Sequence, residues 1–268
     1  MNNSYLLWIN IFSMRSLFIT TFLLTILNAV TGQNNPGEAP EGMVLVPGGT
    51  FFMGTNDGQR IAAPKHPVTL NDYYMDIHEV TNRQYYDYCK ATGRKLPEFW
   101  GMEYYKSGLE FPDHPVVGVS YLEATLFAEW AGKRLPTEAE WEHAARGGLE
   151  DISFPYGEMS DHSKSRFNDP VAETGPVKTG SYLPNGYGLY DMSGNAWEWV
   201  SDWFSENYYS ESPENNPAGP PTGSFRVFRG GGWHSGGSCT SVHIRNALPS
   251  NWVDFAGGFR CVKDVVTP

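Results

Sequence analysis

Asn185-Gly-Tyr-Gly-Leu-Tyr-Asp191-Met-Ser-Gly-Asn195-Ala-Trp197-Glu198-Trp199 places two carboxylates and an amide within a few residues of a glycine turn. An oxygen-rich turn of this kind suits a hard cation. Calcium takes about six to eight oxygens, and a tight loop can present the Asp191 and Glu198 side chains together with carbonyls that the Gly194 turn leaves unpaired. Spacing alone keeps a second reading open, in which Asp191 and Asn195 cap turns and Glu198 pairs with an arginine. The stretch lies in the half of the chain after Gly147-Gly148, where helical periodicity gives way to short strands among Gly, Pro, Asn and Trp. Loops this long need aromatic side chains, disulfides or bound ions besides a core to hold them.

The preceding half is more regular. Met43-Val44-Leu45-Val46 reads as a strand stopped by Pro47-Gly48-Gly49, and Thr50 to Met53 resumes it, predicting a hairpin-like opening. Val68 to Leu70 and Tyr73 to Met75 read as further strands. Thr81-x-x-Gln84, Ser120-x-x-Glu123 and Thr137-x-x-Glu140 each set a hydroxyl at a helix N-cap and an acceptor side chain three residues on, the reciprocal capping box. In the first of these helices Tyr85, Tyr88, Cys89 and Thr92 share one face and Gly93 is the stop, so Cys89 is expected to be buried and inert.

Composition narrows the function classes. The 268 residues are 40% hydrophobic and 18% charged, enough apolar content for a core. The net charge of −11, with no run of Lys or Arg, excludes phosphate backbones as partners and gives no basic patch for an anionic membrane surface. Leu17 to Leu27 is an apolar run after Arg15, followed by the small and polar Asn28 to Gly32, the plan of a cleaved secretory signal. Residues 1–32 are therefore read as signal peptide and 33–42 as a flexible linker, with the folded domain at 43–268. An uncleaved anchor, joining this run to Tyr5–Phe12, is the alternative, and only then would a membrane be involved. The destination is exported: periplasmic, cell-surface or secreted.

A second constellation spans Arg229-Gly-Gly-Gly-Trp233-His234-Ser235-Gly-Gly-Ser-Cys239-Thr240-Ser-Val-His243. A thiol and two imidazoles within ten residues suit a soft metal, but the spacing matches no standard ligand set. His243 is a candidate base for Cys239 as a nucleophile.

Taken together, these residues resemble the formylglycine-generating enzyme (sulfatase-modifying factor) family from Met43 to about Lys263. The matching pieces are Met43 to Gly54, Tyr74 to Asn82, His114 to Ser120, Trp130 to Glu142, Asn185 to Trp199, Arg229-Gly-Gly and Gly258-Phe-Arg-Cys261, in the family's order. The resemblance implies an α+β fold: a single domain related to C-type lectins, with low regular secondary structure. It implies a structural calcium ion on Asp191, Gly194, Ala196 and Glu198, the acids through side chains and the other two through carbonyls. Asn168 stands where a second calcium site would have one ligand, with the Asp-Gly-aromatic segment that completes it deleted before Thr174.

The departure concerns catalysis. Family oxidases hold copper(I) between two cysteines, and counting from Arg229 those positions are Ser235 and Thr240, with Cys239 one residue short of the second. Two hydroxyls are hard ligands and do not make a linear two-sulfur site, so copper is not expected. The leading reading is an exported binding or scaffold module with structural calcium and no formylglycine-generating activity. It would be a monomer with a protein or peptide partner, using a groove lined by Trp197, Trp233, His234 and Trp252. The bland alternative makes those rings core. The rival reading is a formylglycine-type oxidase or another metal-dependent oxygenase acting on a protein cysteine or small substrate. Cys239 and Cys261 are expected to form a disulfide, closing a loop worth roughly 3 kcal/mol in the chain-entropy model. The family supports only the Cys261 half, since its usual partner position is Ala128 here.

Overall fold

Three hydroxyl side chains set where the long helices begin. Thr81 and Thr137 each accept from the amide three residues on and receive the reciprocal side chain, opening α1 (Asn82–Thr92) and α3 (Glu138–Arg146); Ser120 accepts from the Glu123 amide and opens α2 (Tyr121–Trp130). Left-handed Gly93 and Gly147 close α1 and α3. These observations come from a computed structural model that describes residues 39–58, 60–169 and 174–266. The signal and anchor readings, with most of the linker, lie outside the described residues. Glu41–Pro268 is one compact unit, and only that unit is treated below. Among the described residues no helix is long and apolar enough to cross a membrane.

Among the described residues nine short strands form three sheets: β1 (Met43–Val46), β2 (Gly49–Met53), β3 (His66–Leu70), β4 (Tyr73–Asp76), β5 (Trp197–Trp203), β6 (Arg226–Arg229), β7 (Asn246–Leu248), β8 (Gly257–Gly258) and β9 (Val262–Asp264). The expected hairpin at Pro47-Gly48-Gly49 is not there. β1 pairs with β4, which also pairs with β9, while β2 pairs with β3. The turn is held from outside: the Gly48 amide donates to Asp72 Oδ1 at 2.7 Å, and a Cβ at Gly48 would stand 2.4 Å from the Leu70 carbonyl oxygen. Partner choice was therefore long-range. The third sheet has the order β7-β6-β5-β8, with β5 and β8 parallel.

That sheet divides the core, because successive side chains on a strand point to opposite faces. Val200 and Val227 join one cluster built on Trp141, Tyr73, Met75 and Ala144; Trp197, Trp199 and Phe228 join another with Tyr85, Tyr88, Phe127 and Phe259 from beneath α1 and α2. Cys89 lies in the second cluster, as its helix face predicted. Trp141 and Trp199 are wholly buried, and truncating either to alanine costs about 3–5 kcal/mol. The α+β fold with few regular elements after Gly147 is the architecture that the resemblance implied.

Beneath the sheet runs a buried ion network. Glu138, Glu142 and Arg146 lie four residues apart on the inner face of α3. Arg229 joins the two acids, donating Nη1 to Glu138 and Nη2 to Glu142, both at 2.7 Å, and Nη2 also to the Val242 carbonyl. Arg245 clasps Glu138 through Nε and Nη2.

Candidate functional site

The loop quoted first is wound tightly, with three left-handed residues in five: Asp191, Gly194 and Asn195. Asp and Asn tolerate this conformation better than most side chains. At Gly194 glycine is required twice over, because a Cβ would stand 2.2 Å from the Arg166 carbonyl oxygen, the same oxygen that accepts from the Asn195 amide. Asn195 Oδ1 accepts from the Val177 amide and its Nδ2 donates to Glu79, a buried acid just before α1. Glu79 Oε1 accepts from the Ala196 amide.

Glu198 is committed elsewhere. Its Oε1 accepts from Arg260 Nε and Nη2, its Oε2 from Arg260 Nε and Trp141 Nε1, all at 2.8–3.0 Å. The arginine-pair reading of Glu198 thus describes its side chain, and each of its oxygens already accepts two hydrogen bonds. Asp191 differs. Oδ2 accepts from the Gly180 amide at 2.7 Å, whereas Oδ1 is buried without a hydrogen-bond partner among the described residues. Burial, with Glu198 nearby, pushes Asp191 up to about 6 despite the Gly180 bond and Arg260, and burial with Asp191 and Glu198 as neighbours drives Glu79 well above the carboxylate range. Three acids thus share one guanidinium. The donor set fits a cation at Asp191 and not at Glu198 as the side chain stands, and no group of three acids, histidines or cysteines converges as a metal site among the described residues. Asn168 is exposed, its backbone amide donating to the Ser235 carbonyl, and among the described residues no second site is assembled around it.

The second constellation folds so that its hydroxyls are structural. Ser235 Oγ is buried and accepts from Trp197 Nε1 at 3.1 Å and the Gly232 amide at 3.0 Å. Thr240 is buried at the end of a 3-10 turn (Gly237–Thr240) and donates to the Gly237 carbonyl. Cys239 on the same turn is exposed, and all three cysteines are free. The expected Cys239–Cys261 disulfide is absent. Cys261 sits in the core in the same cluster as Cys89 and Ala128, its amide tied to Asp76 Oδ2, while Cys239 faces outward on a surface turn. The structure does not bring Cys239 together with both imidazoles: His243 meets Ser241, and His234 packs on Phe255. These donors do not fit copper(I), since the two positions offer hydroxyls already bonded within the loop.

Of the four groove residues, Trp197 and Trp233 are core, each 7% exposed, and only Trp252, at 52%, is open. A different aromatic cluster flanks Ser235. Trp233 meets Tyr104 and Phe255 edge-on at 5.9 Å, Tyr105 packs on Phe255 at 5.6 Å, and Tyr104 is 56% exposed. Trp233 Nε1 and His234 Nδ1 are both buried with no hydrogen-bond partner among the described residues. The sequence reading missed Glu79, Tyr104 and Phe255. Glu79 had a signal, an acid two residues before the Thr81 N-cap inside the piece Tyr74 to Asn82 that carries the resemblance; the two rings had none, because they arrive from distant loops.

Residues 29–265 match the sulfatase-modifying factor enzyme 1-like domain. The chain belongs to that family. The formylglycine-generating enzyme of Streptomyces coelicolor is 36% identical over an alignment 298 positions long, gaps included, covering 88% of this chain and 94% of that enzyme. The protein named serine/threonine-protein kinase pkn1 from Chlamydia pneumoniae is 40% identical over 239 residues; 83% of this chain is aligned, against 38% of pkn1. The chain thus spans about two-fifths of that relative's length. The solved structure of PvdO from Pseudomonas aeruginosa superimposes with a TM-score of 0.75 at 26% identity, covering 87% of this chain and all of PvdO.

Proposed function

We propose that this member of the sulfatase-modifying factor family is an exported, calcium-stabilised binding module for a protein or peptide, without formylglycine-generating activity. Ser235 carries the reading. At the first of the two positions where the resemblance calls for a copper cysteine stands a hydroxyl that accepts from the Trp197 indole and the Gly232 amide. It serves to close the loop, and with Thr240 at the second position no sulfur pair exists to hold a soft ion.

In place of chemistry the module offers the rings beside that loop. Tyr104 and Phe255 supply apolar area of the kind that anchors interfaces, and Tyr104, 56% exposed, presents its ring at the surface. A calcium ion would be held by Asp191 with the carbonyls of Gly194 and Ala196, and would supply the positive charge that Glu79 and Asp191 lack. Glu198 would then act through Arg260, which holds the loop from behind. One observation favours the rival oxidase reading: Cys239 presents an exposed thiol one residue from the second position.

Copper(I) retention separates the two. Dialysed against a bidentate copper(I) chelator, the wild-type chain is expected to keep no stoichiometric copper, while Ser235→Cys with Thr240→Cys gains one equivalent. A wild-type chain that keeps one equivalent, lost in Cys239→Ala, would overturn the proposal.

A further inference from the structure

The ion network under α3 has a surplus of positive charge, and one member reaches a cavity. Among the described residues the guanidinium groups of Arg146, Arg229 and Arg245 form ion pairs with two carboxylates, Glu138 and Glu142. The third acid nearby, Asp202, accepts from the Glu138 amide and is pushed up to about 7 by burial and by Glu138. Arg229 and Arg245 are enclosed: they also donate to the carbonyls of Val242, Ile61 and Ser205, and Arg229 Nε is buried without a hydrogen-bond partner among the described residues. Arg146 is different. Its side chain is buried and its Nε and Nη2 donate to Glu142 and to the Gly54 carbonyl, but its Nη1 makes no hydrogen bond among the described residues. It lies in the wall of a cavity of about 320 Å³.

Backbone geometry fixes Gly54 in the cavity wall. Gly54 is left-handed, its amide donates to Glu142 Oε1, and a Cβ there would stand 2.5 Å from the Ala62 carbonyl oxygen. Thr55, Ser153 and His243 add polar groups to the wall, and Asp57 and Glu158 line it as well. Lys65 also borders the cavity but is paired with Asp151. Small-molecule sites run from about 300 to 1,000 Å³ and are mostly apolar; this one is at the small end and polar, so its occupant must be small and polar too. A bare anion would meet Arg146 but be repelled by Asp57 and Glu158. A bare cation would meet the acids but be repelled by a buried guanidinium. A ligand carrying a carboxylate and an ammonium on the same carbon satisfies both walls.

We propose that this cavity binds a free α-amino acid, with its carboxylate on Arg146 and its ammonium toward Glu158 and Asp57. The site shares no residue with the aromatic cluster beside Ser235, so the two proposals stand or fall separately. The test is thermal-shift screening of the purified chain with each of the twenty L-amino acids at millimolar concentration, followed by calorimetry, with sodium acetate and ethylammonium chloride as half-ligands. At least one amino acid is expected to raise the melting temperature and bind one to one, with both half-ligands weaker by about tenfold or more. Glu158→Gln and Ser153→Ala are expected to melt as the wild type without ligand and to lose about tenfold in affinity. Both lie at the cavity and outside the ion network, so they carry the test even if Arg146→Lys fails to fold. No stabilisation by any amino acid, acetate binding as tightly as the best of them, or full affinity in Glu158→Gln would overturn the proposal.

Discussion

Replacing Arg229 with methionine isolates what the buried network contributes. The guanidinium is fully buried, bridges Glu138 and Glu142, donates to the Val242 carbonyl, and lies 5.3 Å from the Trp141 ring. Removing one partner of a buried ion pair costs about 3–5 kcal/mol, because the other charge stays behind in a medium that cannot solvate it. Neither acid is abandoned here, since Glu138 keeps Arg245 and Glu142 keeps Arg146. Against that, the Val242 oxygen loses a buried donor, a further cost of about 1–3 kcal/mol. A net loss of about 4 kcal/mol follows, which at about 2–4 °C per kcal/mol for a domain of this size lowers the melting temperature by about 8–16 °C. Calorimetry at neutral pH measures it. The acid limb gives a second reading. Burial alone would raise Glu142, but Arg146 and Arg229 bring it from its ordinary 4.5 down to about 2. A carboxyl depressed in the folded state contributes stability above pH 4.5 that is lost as the pH falls toward 2, so Arg229→Met should shrink the loss in that window. A fall of less than about 3 °C, or an unchanged acid limb, would refute the claim that this network is a main support of the fold.

Three further outcomes are expected. Asp202 is raised by burial and by Glu138 to about 7 in the folded state, so it favours folding as the pH falls from 7 toward 4 and opposes it above; Asp202→Asn should add on the order of 2–4 kcal/mol at pH 8 and flatten the slope in denaturant titrations at several pH values. Removing calcium with a chelator should lower the melting temperature of the wild type and leave that of Asp191→Ala unmoved, as scanning calorimetry would show. Alkylation without reductant, followed by peptide mass mapping, should label Cys239 in the folded chain and reach Cys89 and Cys261 only on unfolding.

What the sequence disclosed was local or carried by the family. The starts of α1 and α3 were legible because a capping box needs only four residues, and the burial of Cys89 because a helix face repeats every three to four. The opening hairpin was misread for the converse reason: Gly48-Gly49 makes a turn, but whether β1 pairs with β2 or with β4 is settled by Asp72 and β3, outside the window. No spacing rule links Glu138 to Arg229 and Arg245, which are 91 and 107 residues away, although Glu138, Glu142 and Arg146 at four-residue intervals marked a charged stripe on α3. The disulfide expectation rested on compartment and sequence distance, neither of which reports that Cys261 lies in the core and Cys239 on the surface. At the site, Asp191 and Glu198 were found but their duties were not separated, since that depended on Arg260 and Trp141 arriving at Glu198.

The central claim is the proposal that this chain lacks the formylglycine-generating activity for which several of its relatives are named. It is tested most directly by incubating the chain with copper(I), oxygen and a peptide carrying Cys-x-Pro-x-Arg, then weighing the peptide by mass spectrometry. The hydroxyls of Ser235 and Thr240 predict a peptide of unchanged mass at all times. Conversion of its cysteine to formylglycine, with more than one turnover per chain, would contradict the account.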